Sequence, residues 1–179
     1  MKTSLFIFIS SVLFMQSASA DMSKMTVVSL NTIYIDRDYD VNGVKSQNKE
    51  TDTDLRLTRI EKNWAYGAIY TLSSNDSSDS NRSAYGISGG YFSEKDFYMT
   101  AHYFISAKYH AAGVEYSGGS GYGVDIGFLS KITPSFYVGL LMAHRSFTYS
   151  QQSSPAGNTA VSVTQKELLP LFTFAVVFM

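Results

Sequence analysis

Apolar and polar residues alternate one by one along most of this chain, the two-residue period of a strand whose two faces meet different surroundings. In "FYMTAHYFISAKY", Phe97, Met99, Ala101, Tyr103, Ile105 and Ala107 fall on one side, and Tyr98, Thr100, His102, Phe104, Ser106 and Lys108 on the other. In "GYGVDIGFLSK", Tyr122, Val124, Ile126 and Phe128 alternate with Gly121, Gly123, Asp125, Gly127 and Leu129. Eight such segments can be marked, at 25–37, 52–61, 64–73, 83–92, 97–108, 119–130, 135–149 and 163–178. No stretch after residue 20 reads as a helix.

The connections between segments alternate in kind. "KN" at 62–63, "SEKD" at 93–96 and "KITP" at 131–134 read as tight turns. Between them come longer polar stretches: "DYDVNGVKSQNKET", "SSNDSSDSNR", residues 109–118, and "SQQSSPAGNTAVS". Strict alternation of short and long connections predicts an all-β fold, an up-and-down antiparallel meander with its tight turns at one end. Eight strands leave costly open edges unless the sheet closes, so the expected architecture is an eight-stranded barrel. A soluble barrel would turn its apolar face inward, whereas a membrane barrel turns it outward.

Three features select the membrane form. Aromatic residues lie near the ends of the apolar faces, with Trp64 and Tyr66 after a tight turn and Tyr34, Tyr70 and Tyr85 toward the other end. That is the girdle expected at lipid headgroups. The opposite face is rich in small residues (Gly67, Gly86, Ser88, Gly90, Gly123, Gly127), which suit a narrow interior. The last segment places Phe172, Phe174, Val176 and Phe178 on one side, a surface that water would not tolerate and lipid would.

The N-terminal stretch supports export. Lys2, an apolar run from Leu5 to Met15 and then Ala18-Ser19-Ala20 have the order of a secretory signal peptide, too short to span a bilayer as a helix. Residues 1–20 are therefore expected to be cleaved, leaving 21–179 as one barrel domain. Fourteen basic and 15 acidic residues nearly balance, and no basic stripe suggests nucleic acid. The sequence has no cysteine, which excludes a disulfide framework and thiolate chemistry.

Signal peptide, eight alternating segments, unequal connections and a terminal aromatic strand together resemble the small outer-membrane β-barrels of the OmpX and OmpA transmembrane-domain type. The resemblance spans residues 21–179 and is one of architecture. It implies residence in the outer membrane of a Gram-negative-type envelope, among lipid and lipopolysaccharide. It also implies recognition of the C-terminal strand by the barrel-assembly machinery, although here Met179 follows the final aromatic Phe178. Pro170 interrupts the last segment, where a bulge would accommodate its missing donor.

Candidate chemistry is sparse. Asp38, Asp40, Asn42 and Gly43 match the opening of a calcium loop, but Lys49 occupies the position of the bidentate carboxylate, and a solvated acidic loop fits better. His144 and Ser146 share one face of a strand, the spacing a base and a nucleophile need. The pair is similar to the His-x-Ser of outer-membrane lipid A deacylases, but "FTY" replaces that family's Asn-containing continuation. The polar face carries Asn31, Arg56, Thr58, His102, Lys108, Asp125, Arg145 and Glu167, and an eight-stranded interior has room for little beyond side chains. His102 is expected to pair with Asp125, and Arg145 with Glu167. The expectation is a non-enzymatic barrel with no catalytic, cofactor or metal site, a filled lumen, and exterior loops meeting an unknown partner. A lipid-modifying enzyme built on His144 and Ser146, or a narrow pore, is the alternative.

Overall fold

The computed structural model describes residues 24–41, 44–76, 78–93, 96–155 and 157–178, and the backbone alone for 36–41 and 44–48. The expected signal peptide at 1–20 lies outside the described residues. Eight strands follow one another: β1 (Lys24–Val41), β2 (Val44–Glu61), β3 (Trp64–Asn75), β4 (Ser80–Phe92), β5 (Phe97–Ala111), β6 (Val114–Thr133), β7 (Phe136–Ser154) and β8 (Gly157–Phe178). Each pairs antiparallel with its chain neighbours, and β8 returns to β1 to close the ring. The all-β, eight-stranded up-and-down barrel expected from the alternation is the fold.

The connections differ from expectation. Strands continue through most of the polar stretches that read as long loops, and the exterior ends are hairpins of paired polar strands. β1 and β2 remain in register out to Val41 and Val44, and β7 and β8 out to Ser154 and Gly157. The stretch 109–118 holds only a two-residue turn, with Ala112 at φ 50° and Gly113 at φ 77°. Both positive angles are those of a type I′ turn, whose twist matches the flanking strands. Lys62 and Asn63 make the same kind of turn at the opposite end, with φ 48° and 74°. Outside the apolar zone both faces of a strand meet water, so polar sequence there loses its alternation without losing its backbone pairing. Lys131, Ile132 and Thr133, expected in a turn, end strand β6 instead.

The outward faces are apolar all the way round. Leu55 and Leu57, Ile87, Met99 and Ile105, Val124 and Ile126, Leu140 and Met142, and the four terminal-strand residues Phe172, Phe174, Val176 and Phe178 are all exposed. Trp64, Tyr66, Tyr91, Phe97 and Phe128 ring the turn end, with Trp64 edge-on to Tyr91 at 5.8 Å. Tyr34, Tyr70, Tyr85, Tyr103 and Tyr122 ring the other side.

Facing strands are matched in size inside. Inward-facing Gly121, Gly123 and Gly127 of β6 lie across from Phe147, Arg145 and Leu141 of β7. A Cβ on Gly121 would come within 2.8 Å of the Phe147 ring, and one on Gly127 within 2.8 Å of Leu141 Cβ. At the remaining position the sizes reverse: Asp125 is opposite Ala143, which leaves the carboxylate free to reach into the lumen.

Two irregularities matter. A bulge in β5 between Phe104 and Ala107 shifts its registers with β4 and β6, so Ala107 turns inward and Lys108 outward. Lys108 is thus not a lumen residue; its ammonium lies 3.9 Å from Glu115 on the exterior. Pro170, expected in a bulge, stands in regular register with Met142 of β7. Its effect is on the other neighbour. β1 and β8 pair only over Thr26–Thr32 and Phe172–Phe178, and the ladder stops just before Pro170.

Candidate functional site

The inward face of β2 reads Asp52, Asp54, Arg56, Thr58, and these residues found a network that crosses the lumen. Arg56 Nη2 donates to Asp54 Oδ2 at 2.7 Å and also pairs with Asp125 of β6. Asp125 Oδ2 lies 2.8 Å from His102 Nε2 of β5, and Thr100 approaches the same nitrogen at 3.3 Å. On the other side Arg145 of β7 donates to Asp54 Oδ2 at 2.5 Å and to Thr71 Oγ1 at 3.0 Å. Arg145 is the largest fully buried side chain in the barrel.

A second layer lies toward the exterior. Arg82 of β4 clamps Glu167 of β8 with two hydrogen bonds, at 2.6 and 2.8 Å, a bidentate fork that fixes both planes. Its guanidinium lies over the Phe147 ring at 4.6 Å and 3.6 Å from Asp52. Arg145 Nη1, 3.6 Å from Glu167 Oε1, joins the two layers. Above them Tyr149, Tyr109 and Tyr116 cluster, with ring centroids 5.8 to 6.3 Å apart. Turnward of the network is a cavity of about 20 Å³ lined by Arg56, Thr58, Tyr98, Thr100, His102 and Thr173, room for one water molecule.

Of the expected lumen residues, Asn31, Arg56, Thr58, His102, Asp125, Arg145 and Glu167 face inward. The His102–Asp125 pair closes as expected. Arg145 does approach Glu167, but its short contact is with Asp54, and Glu167 belongs chiefly to Arg82. Asp52, Asp54 and Arg82 went unrecognised in the sequence. The two aspartates carried a legible signal, since outward Leu55 and Leu57 fix the parity of β2. Arg82 carried none, because its neighbours Asn81 and Ser83 are polar and the segment resembles a loop.

The other candidates fare differently. His144 is exposed on the outer wall, but Ser146, flanked in register by Tyr122 and Lys166, is only 4% exposed. Among the described residues no hydrogen bond joins the two. The side chains of Asp38 and Asp40, and all of Asn42 and Gly43, lie outside what is described; the backbone of 38 and 40 belongs to strand β1. Among the described residues no group of three or more His, Asp or Glu side chains is arranged to hold a metal ion.

No family model matches the chain, and no curated protein matches it. Among solved structures the barrel is similar to Neisserial surface protein A (NspA), with a TM-score of 0.45 and 13% sequence identity over 86% of this chain and 94% of that one.

Proposed function

We propose that this chain is an integral outer-membrane β-barrel of a Gram-negative-type envelope, of the OmpX and OmpA transmembrane-domain type. It is a non-enzymatic anchor whose polar exterior hairpins form its interaction surface. The observation that carries this reading is the inversion of the barrel: large apolar side chains cover the outside while arginines and carboxylates fill the inside. Water would not sustain that arrangement, and a bilayer requires it. Its partners are then membrane lipid and lipopolysaccharide around the wall, the barrel-assembly machinery during insertion, and an unidentified ligand at the hairpins.

A lumen crossed by two layers of ion pairs, with a void for one water below them, supports a plug rather than a pore. The lipid-modifying alternative at His144 and Ser146 has less support, because the serine is covered. Envelope fractionation tests the proposal. The mature chain should resist carbonate extraction and migrate faster unheated than boiled on a denaturing gel. Planar-bilayer recordings should show no large, stable conductance steps. Recovery as a soluble periplasmic protein would overturn the membrane reading, and steady single-channel currents would overturn the plug.

A further inference from the structure

The exterior ring of tyrosines on the outer wall is incomplete. Tyr34, Tyr70, Tyr85, Tyr103 and Tyr122 stand on β1, β3, β4, β5 and β6, and neither β7 nor β8 contributes one. β2 also lacks one, but it sets an apolar residue, Leu55, directly across from Tyr70. On β7 and β8 the outward positions nearest the ring are His144, Ser146, Lys166 and Leu168. Lys166 is opposite Ser146, and Leu168 is opposite His144. A histidine and a lysine thus stand where the aromatic belt would pass.

The register gives their height. Rows of paired residues climb toward the exterior from β6 to β8, because the row through Phe128, in the turn-end ring, reaches Phe172, six residues short of Phe178. With strands ~4.8 Å apart and tilted ~40°, each step between strands rises about 3 Å, and two residues along a strand rise about 5 Å. Lys166 is in one row with Tyr122, two strands on, and so lies roughly 6 Å to the exterior of that ring. His144 and Leu168, one row lower, are within about 2 Å of its level. Tyrosines mark the edge of the hydrocarbon, so the lysine reaches the headgroup layer and the imidazole lies at its base. Below them runs a column of exposed apolar side chains, Leu168, Met142, Phe172 and Phe174.

Nothing acidic on the wall answers these groups. The outward positions of β6 at 120–128, of β7 at 140–150 and of β8 at 164–178 carry no carboxylate. Glu167, next to Lys166 in the chain, faces inward and is held by Arg82. Among the described residues neither Lys166 nor His144 has an ion-pair partner. The two are diagonal neighbours across the strands, ~7–8 Å apart and within reach of one another's ligand. We propose that β7 and β8 carry a site for a phosphorylated lipid headgroup of the outer leaflet. The Lys166 ammonium and a His144 ring N–H donate to the phosphate, and the acyl chains lie along Leu168, Met142 and Phe172. Cations capping an apolar column match one molecule with an anionic head and hydrocarbon tails. The site deepens the membrane reading and rests on it, since the column has such an occupant only in a bilayer.

The test uses the mature chain folded in a neutral detergent, with bound lipid counted by native mass spectrometry. Lipid A bearing its phosphates should bind, and the same lipid with its phosphates removed should bind at least tenfold more weakly. Lys166→Gln should weaken binding of the phosphorylated form about fivefold, and Lys166→Arg should restore it to within about twofold. His144→Gln should weaken it about threefold. Lys108→Gln, which removes another exposed cation of the exterior, should leave it unchanged. All variants should keep the compact unboiled band, since the altered side chains are exposed. Equal binding of the two lipid forms, or equal loss from Lys108→Gln and Lys166→Gln, would overturn the site. Displacement of the lipid by inorganic phosphate at equal concentration would make the site one for free phosphate and overturn the lipid assignment. Carbonate extraction reads membrane residence separately. A barrel that resists extraction yet binds both lipid forms alike loses the site and keeps the membrane reading.

Discussion

Along β6, Tyr122, Val124, Ile126 and Phe128 face outward at 40% to 60% exposure, while Gly123, Asp125 and Gly127 between them are buried. The two faces of one strand are held by different physics. On the outer wall of the proposed membrane barrel a residue is accepted for being apolar, and its exact shape matters little because lipid would conform to it. In the lumen, shape and charge must both match, because Gly121 leaves room for Phe147 and Gly127 for Leu141, and Asp125 needs both Arg56 and His102. The wall therefore depends on its solvent, and the lumen on its partners.

The largest effect should come from breaking the lumen at its centre. Arg145→Ala removes the guanidinium held by Asp54 at 2.5 Å and by Thr71. Breaking a buried ion pair from one side leaves an uncompensated charge and costs about 3–5 kcal/mol. Unfolding of the compact form by urea or heat in detergent should reveal the loss. Arg145→Met together with Asp54→Leu should cost less than the sum of the two single changes, since neither charge is then stranded. Additive losses would show that the two residues are not coupled.

The wall is tested by a charge of the same kind placed outside. Ile126→Arg lies in the middle of the apolar run of β6 and should destabilise the barrel by about 2–4 kcal/mol in lipid vesicles, while Tyr66→Arg, beside the tight turn at 62–63, should cost only about 0–1 kcal/mol. Depth decides the difference. Equal effects at the two sites would mean that no hydrocarbon layer surrounds the barrel, and the contrast between wall and lumen would collapse.

How much of this was legible follows from the same contrast. Where the outer face is apolar, alternation fixes parity, and Arg56, His102, Asp125 and Arg145 could be set inside from sequence alone. Where both faces meet water the parity signal vanishes. Arg82 was lost there, and the extended hairpins of β1–β2 and β7–β8 looked like loops. Partner choice was harder still. Strands adjacent in sequence suggested Arg145 with Glu167, but the lumen is narrow enough for Arg82, on the strand diametrically opposite in the ring, to take that carboxylate. Pairing in a filled barrel is decided by reach across the interior, which no spacing along the chain encodes.

The smallest effect belongs to Lys108, and it bears on parity most directly. Uninterrupted alternation along β5 would put Lys108 in the lumen with His102, where removing its charge would disturb the network. The bulge between Phe104 and Ala107 reverses that parity and leaves Lys108 and Glu115 with side chains 66% and 51% exposed, 3.9 Å apart. An exposed pair at that distance gains little Coulomb energy and spends side-chain entropy to hold its geometry. Lys108→Ala should therefore change unfolding stability by less than about 0.5 kcal/mol, with no dependence on salt beyond that of the parent protein. A loss approaching that of Arg145→Ala would put the lysine back inside. The bulge would then be absent, and every inward assignment in β5 after Phe104 would shift by one residue.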